Sequence, residues 1–127
     1  MNFEKVSFAF FVVFALTINF GFFIGEIDNQ AHHHVIELFT AIVISLIATV
    51  IKLGDRSHIG AVLLATSLVA DIHLITAAIV WGYAEHIADS GMTPDFMATI
   101  VSISGGALIA NLTSVVLLVI ETVVVRR

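Results

Sequence analysis

Ser67–Val80 reads SLVADIHLITAAIV, a stretch with the apolarity of a membrane interior that nonetheless carries a carboxylate, Asp71, and an imidazole, His73. Extended in both directions it becomes Ile59–Ala84, in which Asp71 is the only Asp, Glu, Lys or Arg. Three further runs, Val6–Gly25, Leu38–Ile51 and Phe96–Ile120, have no such residue at all. A helix needs about 20 residues to cross the hydrocarbon. The chain has 127 residues, 59% hydrophobic and 12% charged, with a mean hydropathy of +1.08, beyond what a soluble fold of this size could hide. The expectation is an all-α, polytopic membrane protein, a single domain of four transmembrane helices in an antiparallel bundle. The spans are placed at residues 6–25, 35–53, 59–84 and 95–121. The first apolar run exceeds a signal-peptide core and no small-x-small site follows it, so it is read as a retained span.

Three short segments separate the spans: GEIDNQAHHH (Gly25–His34), GDRSH (Gly54–His58) and EHIADSGMTPD (Glu85–Asp95). Thr93, Pro94 and Asp95 fit the N-cap, N1 and N2 of the last helix, because proline lacks only an N–H that has no helical partner there. Gly54 is the expected C-cap of the second helix, followed by a turn with a local ion pair among Lys52, Asp55 and Arg56. With four spans, all five basic residues, Lys5, Lys52, Arg56, Arg126 and Arg127, fall on one side. The positive-inside rule makes that side, with both termini, cytoplasmic. The other side receives Glu26, Asp28, Glu37, Glu85, Asp89 and Asp95 with His32, His33, His34 and His86.

A carboxylate at the centre of a span costs about 2.5–3.5 kcal/mol on insertion scales, so it needs a partner, water or a proton. Intramembrane acids usually mark ion or proton routes, which makes Asp71 the first candidate site. His73 follows two residues later and is rotated about 200° from it. Polar groups on opposite sides of one helix suggest a homo-oligomer, in which one faces its own bundle and the other a neighbouring subunit. The plainer alternative is a neutral His73 satisfied by an adjacent helix. Polar and small residues form three stripes: Glu37, Ala41, Ser45, Ala48 and Lys52; Ser67, Asp71, Ala78, Gly82 and Glu85; Ser104, Ala107, Asn111, Ser114 and Glu121. Such stripes suit helix contacts as well as a polar seam. Asn111 is the candidate partner of Asp71, with Glu37 and Glu85 as outer members of the path.

Two local features carry alternatives. Gly105 and Gly106 could break an overlong fourth span, as in transporters, or permit close packing through Ser102, Gly106 and Ala110. His33, His34 and Glu37 could offer nitrogen and oxygen to a zinc-like ion if other ligands complete the set. Otherwise the histidines form a vestibule whose charge changes between about pH 5 and 8.

There is no cysteine, which excludes disulfides and thiolate chemistry, and no nucleotide loop or nucleophile constellation, so neither enzyme nor cofactor is expected. VWGYAE (Val80–Glu85) resembles a potassium-channel filter but has Trp81 at a small position and Ala84 at a glycine; Trp81 and Tyr83 are read instead as interfacial anchors. NFGFFIGEID (Asn19–Asp28), KLGDRSHIGAVLLATSLVAD (Lys52–Asp71) and SGGALIAN (Ser104–Asn111) resemble a family of small bacterial inner-membrane proteins of unknown function. That resemblance implies four spans and a bacterial inner membrane, and it carries no activity. From the residues, the expected function is conduction or translocation of a small cation, K+ or H+, with sensitivity to pH. The alternatives are an accessory subunit of a larger membrane complex and a periplasmic metal or pH sensor. The expected partners are the lipid bilayer, the cation and copies of the chain, and not nucleic acid.

Overall fold

The computed structural model describes residues 3–126. Helix α1 spans Phe3–Phe23, α2 Val35–Lys52, α3 His58–His86 and α4 Pro94–Arg126, with one 3-10 turn at Gln30–His32. All four α-helices are long and apolar enough to cross a membrane. The protein is an all-helical, multi-pass membrane protein, and no strand occurs among the described residues. Each helix packs on its two neighbours, α1 on α2, α2 on α3, α3 on α4 and α4 on α1. The start of α1 and the end of α4 meet through Lys5 and Glu121, 2.8 Å apart. The α2–α3 turn lies at that same basic end, and the histidine-bearing loop lies at the other.

Local chemistry sets the helix ends. The Ser57 hydroxyl accepts from the Gly60 amide at 3.0 Å to start α3, and Thr93 accepts from Phe96 at 3.2 Å ahead of Pro94, the latter as the sequence anticipates. Gly25, past the end of α1, has φ +112° and its missing Cβ makes room for His32. Gly54 departs from expectation: it has no left-handed φ, and α2 ends on Leu53 in right-handed geometry. The Leu53 amide continues the helical pattern to Thr49 and Val50, so no reversal at Gly54 is required.

Phe8, Phe22, Leu38, Leu63 and Leu74 share the interior with many alanines, and large apolar side chains also cover the outer surface. Ala15, Ala41, Ala48, Ala70, Ala77, Ala84 and Ala107 are buried, while Phe10, Ile36, Ile72, Ile79 and Ile109 are exposed. Lipid is as apolar as leucine, so helix association comes from close packing, and small residues permit it. On α3 the buried positions Ser67, Ala70, Leu74, Ala77, Trp81 and Ala84 alternate steps of three and four, the repeat of a left-handed supercoil. This seam shares Ser67 with the expected stripe, whose Asp71 is buried as well, and then runs beside it. Ala78 and Gly82 are half-buried and Glu85 is exposed. Trp81 is a correction. It is buried against Phe22, with ring centroids 6.2 Å apart, rather than placed as an interfacial anchor, while Tyr83 is exposed.

Helix α4 is continuous through Gly105 and Gly106, so these glycines serve packing and not a break. A Cβ at Gly105 would strike the Phe23 ring, and one at Gly106 would strike the His73 imidazole. The glycine pair therefore receives a ring from α1 and a ring from α3 on adjacent sides of one turn.

Candidate functional site

Asp71 lies 5% exposed near the centre of α3. Its carboxyl group meets two hydroxyls of α2: Ser45 Oγ is 2.6 Å from Oδ1 and Thr49 Oγ1 is 2.5 Å from Oδ2. Ser45 and Thr49 are four residues apart, so one face of α2 presents both to one carboxyl group. Thr49 Oγ1 is also 3.0 Å from the Ser45 carbonyl of its own helix.

Asn111 is a correction as the partner of Asp71. Its Nδ2 is buried with no hydrogen-bond partner, and the bonds to Asp71 come from α2 instead of α4. The physical reason is rotation about α3, whose Asp71 side faces α2. Depth is as expected: Thr66 meets Ser114 at 2.5 Å and His73 lies over Gly106. These two contacts bracket Asn111 at the level of Ser67 and Asp71.

His73 is half-buried, with Nδ1 2.9 Å from the Val69 carbonyl one turn back and its ring against Gly106. Asp71 and His73 do occupy different flanks of α3, yet α2 covers one and α4 the other within a single chain. The ground for inferring a homo-oligomer from this pair is therefore removed. Glu37 is half-buried with its carboxylate beside Gly21, and exposed Glu85 accepts from Gln30 Nε2 at 3.0 Å. The structure thus gathers Asp71 and Asn111 in one buried layer, and does not bring Glu37 or Glu85 into it.

The polar interior is more extensive than the candidate residues. Asn19 Nδ2 donates to the Ser104 carbonyl at 3.0 Å. Asn19 Oδ1 and Ser67 Oγ, like Asn111 Nδ2, are buried without a partner. Thr49 and Asn19 were missed in the sequence. Thr49 was detectable, since it continues the α2 stripe four residues after Ser45.

At the basic end, Lys52 is 1% exposed, with its ammonium 3.0 Å from Glu4 and 3.3 Å from Asp55 and 4.4 Å from the Phe8 ring centroid. The expected Lys52–Asp55 pair forms, with Glu4 joining it from α1. A cavity of about 500 Å³ opens beside it, lined in part by Glu4, Lys5, Asp55, Arg56 and Glu121. Hydrogen bonds from the Ser57 hydroxyl and amide, then from Lys52, hold the Asp55 carboxyl down at about 2, against an ordinary 3.8. A depressed carboxyl contributes stability above its unfolded value and loses it as pH falls through the folded one. Thermal unfolding in detergent is expected to lose about 1–2 kcal/mol from this source as pH falls from about 4 to about 2. Asp55→Asn is expected to remove that component of the acid sensitivity, which melting curves across this pH range check.

At the histidine end the metal set of His33, His34 and Glu37 is a correction. Both ring nitrogens of His33 face backbone carbonyls, Phe22 at 2.5 Å and Glu26 at 2.7 Å, leaving neither for a metal. His34 is exposed at the start of α2, and no three His, Cys, Asp or Glu groups among the described residues come together as metal ligands.

A model of a family of unknown function, DUF6394, matches residues 32–122. The chain belongs to this family. The DUF6394 match covers α2, α3 and most of α4, and so includes Ser45, Thr49, Asp71 and Asn111. No curated protein and no solved structure matches the chain.

Proposed function

We propose that the protein binds and translocates protons across a bacterial inner membrane, its basic end cytoplasmic, with Asp71 as the proton site in the bilayer. A proton count at Thr49 carries this reading. Its hydroxyl holds one hydrogen but lies within bonding distance of two acceptors, the Ser45 carbonyl at 3.0 Å and Asp71 Oδ2 at 2.5 Å. One hydrogen serves one of them. All contacts are satisfied when Asp71 carries the second: Asp71 donates to Thr49, Thr49 to the Ser45 carbonyl, and the Ser45 hydroxyl to Asp71 Oδ1.

The same distances favour H+ over K+. Hydroxyls at 2.5 and 2.6 Å from the carboxyl oxygens leave no room for a metal ion between them, whereas a proton occupies the bond itself. The unpartnered Ser67 and Asn111 groups at this level supply further polar positions beside the acid.

The competing reading is a non-conducting accessory subunit, in which the Ser45–Asp71–Thr49 cluster only fastens α2 to α3. Proteoliposomes carrying a pH gradient and an internal pH dye separate the two. Wild-type protein is expected to dissipate the gradient when a counter-ion path is supplied, and Asp71→Asn to be indistinguishable from empty vesicles. A silent wild type in both vesicle orientations overturns translocation and leaves the fastening role.

A further inference from the structure

The loop between α1 and α2 poses a second and independent hydrogen count. His33 is 1% exposed, and its two ring nitrogens lie against acceptors alone: Nδ1 2.5 Å from the Phe22 carbonyl and Nε2 2.7 Å from the Glu26 carbonyl. Neutral imidazole has one N–H, so one nitrogen would present its lone pair to a carbonyl oxygen. Both bonds form only when the ring carries two hydrogens. The Phe22 carbonyl belongs to the last turn of α1, where carbonyls lack helical donors and the helix dipole favours a cation.

The preceding residue makes the opposite demand. His32 Nδ1 is 2.9 Å from the Glu26 amide, a donor, so that nitrogen must keep its lone pair. The backbone N–H and C=O of one residue, Glu26, are thus each engaged by a different imidazole. Gly25, with φ +112° and no Cβ to strike His32, permits the approach.

We propose that His33 is a proton-binding site distinct from Asp71, occupied as the imidazolium, which fastens the α1–α2 loop to the end of α1. Loss of one proton replaces one of the two bonds by lone-pair repulsion and loosens the loop on the end of α1, while the Glu26 carbonyl keeps its bond from the Asn29 amide at 3.1 Å. The contribution is complete in the protonated state and is lost as pH rises. Titratable groups around it are Glu26, Asp28 and His32 on the loop, and His34 and Glu37 from the α2 side. From α3 there is Glu85, bonded to Gln30. Protonation of exposed His32 acts in the other sense, breaking its bond to the Glu26 amide.

The molecule contains its own reporter. Trp81 is the single tryptophan, and with His33 and His34 it lines a cavity of about 240 Å³. Full-length protein in bicelles is expected to show a Trp81 emission change on raising pH that survives His34→Gln and vanishes in His33→Gln. Nitrogen-15 spectra of the wild type, which need no variant, are expected to show both His33 ring nitrogens protonated wherever exposed His34 is doubly protonated. A bare ring nitrogen on His33 while His34 is doubly protonated overturns the proposal. So does an emission change that persists in His33→Gln.

Discussion

Asp71→Asn is expected to unfold at nearly the wild-type temperature, within about 0.5 kcal/mol, while abolishing proton flux. The carboxamide reproduces the protonated acid: its NH2 donates to Thr49 and its carbonyl accepts from Ser45, so every bond of the cluster survives. What disappears is the exchangeable proton. Asp71→Leu breaks both interhelical bonds, each worth about 0.6–1 kcal/mol in a membrane, and forces a branched side chain against α2. Its expected loss is about 2–4 kcal/mol in all. Thermal unfolding in a mild detergent, followed by circular dichroism, measures the pair. If Asn is as damaging as Leu, the cluster holds a carboxylate accepting from two hydroxyls, and the proton count behind the proposed function is wrong.

The second large effect is expected at the opposite charge. Lys52→Met keeps the apolar stem over Phe8 but removes the ammonium held by Glu4 and Asp55. Breaking a buried pair by deleting one partner costs about 3–5 kcal/mol, because the remaining charge is left uncompensated. Here Asp55 keeps its bonds to Ser57 and the Glu4 side chain is 38% exposed, which lowers the expectation to about 2–3 kcal/mol. Lys52→Met is also expected to speed proteolysis in the α2–α3 turn. Adding Glu4→Gln should restore part of the loss, since it lowers the negative charge beside position 52. Equal melting of Lys52→Met and wild type would show the ammonium to be dispensable.

Much of this architecture is legible in the residues. Uncharged runs locate the helices, Thr93 and Pro94 mark the start of α4, and the small residues of α2 and α4 predict their contact faces. The depth of Asp71 and its need for a partner follow from the cost of an isolated acid in lipid. The partner itself does not. Asn111 on α4 and Ser45 on α2 both lie at a suitable depth, and only the rotation of α3 chooses between them. That rotation is set by the seam from Ser67 through Ala84, which a stripe counted one residue away approximates poorly. Trp81 misleads for a related reason: tryptophan suits an interface, but here it fills the space beside Phe22. The role of His33 is illegible because its partners are backbone carbonyls, which every sequence contains.

The helices come in two lengths. At 1.5 Å per residue, α1 and α2, with 21 and 18 residues, reach about 32 and 27 Å, while α3 and α4, with 29 and 33, reach about 44 and 50 Å. Because each short helix neighbours the other, as does each long one, the perimeter has a low side and a tall side. The hydrocarbon core is about 30 Å thick, which α1 just spans and α2 nearly does while α3 and α4 exceed it, so the α1–α2 flank has no length in reserve. A thicker bilayer strains that flank first, and lipid chain length becomes a lever on the α1–α2 half of the molecule.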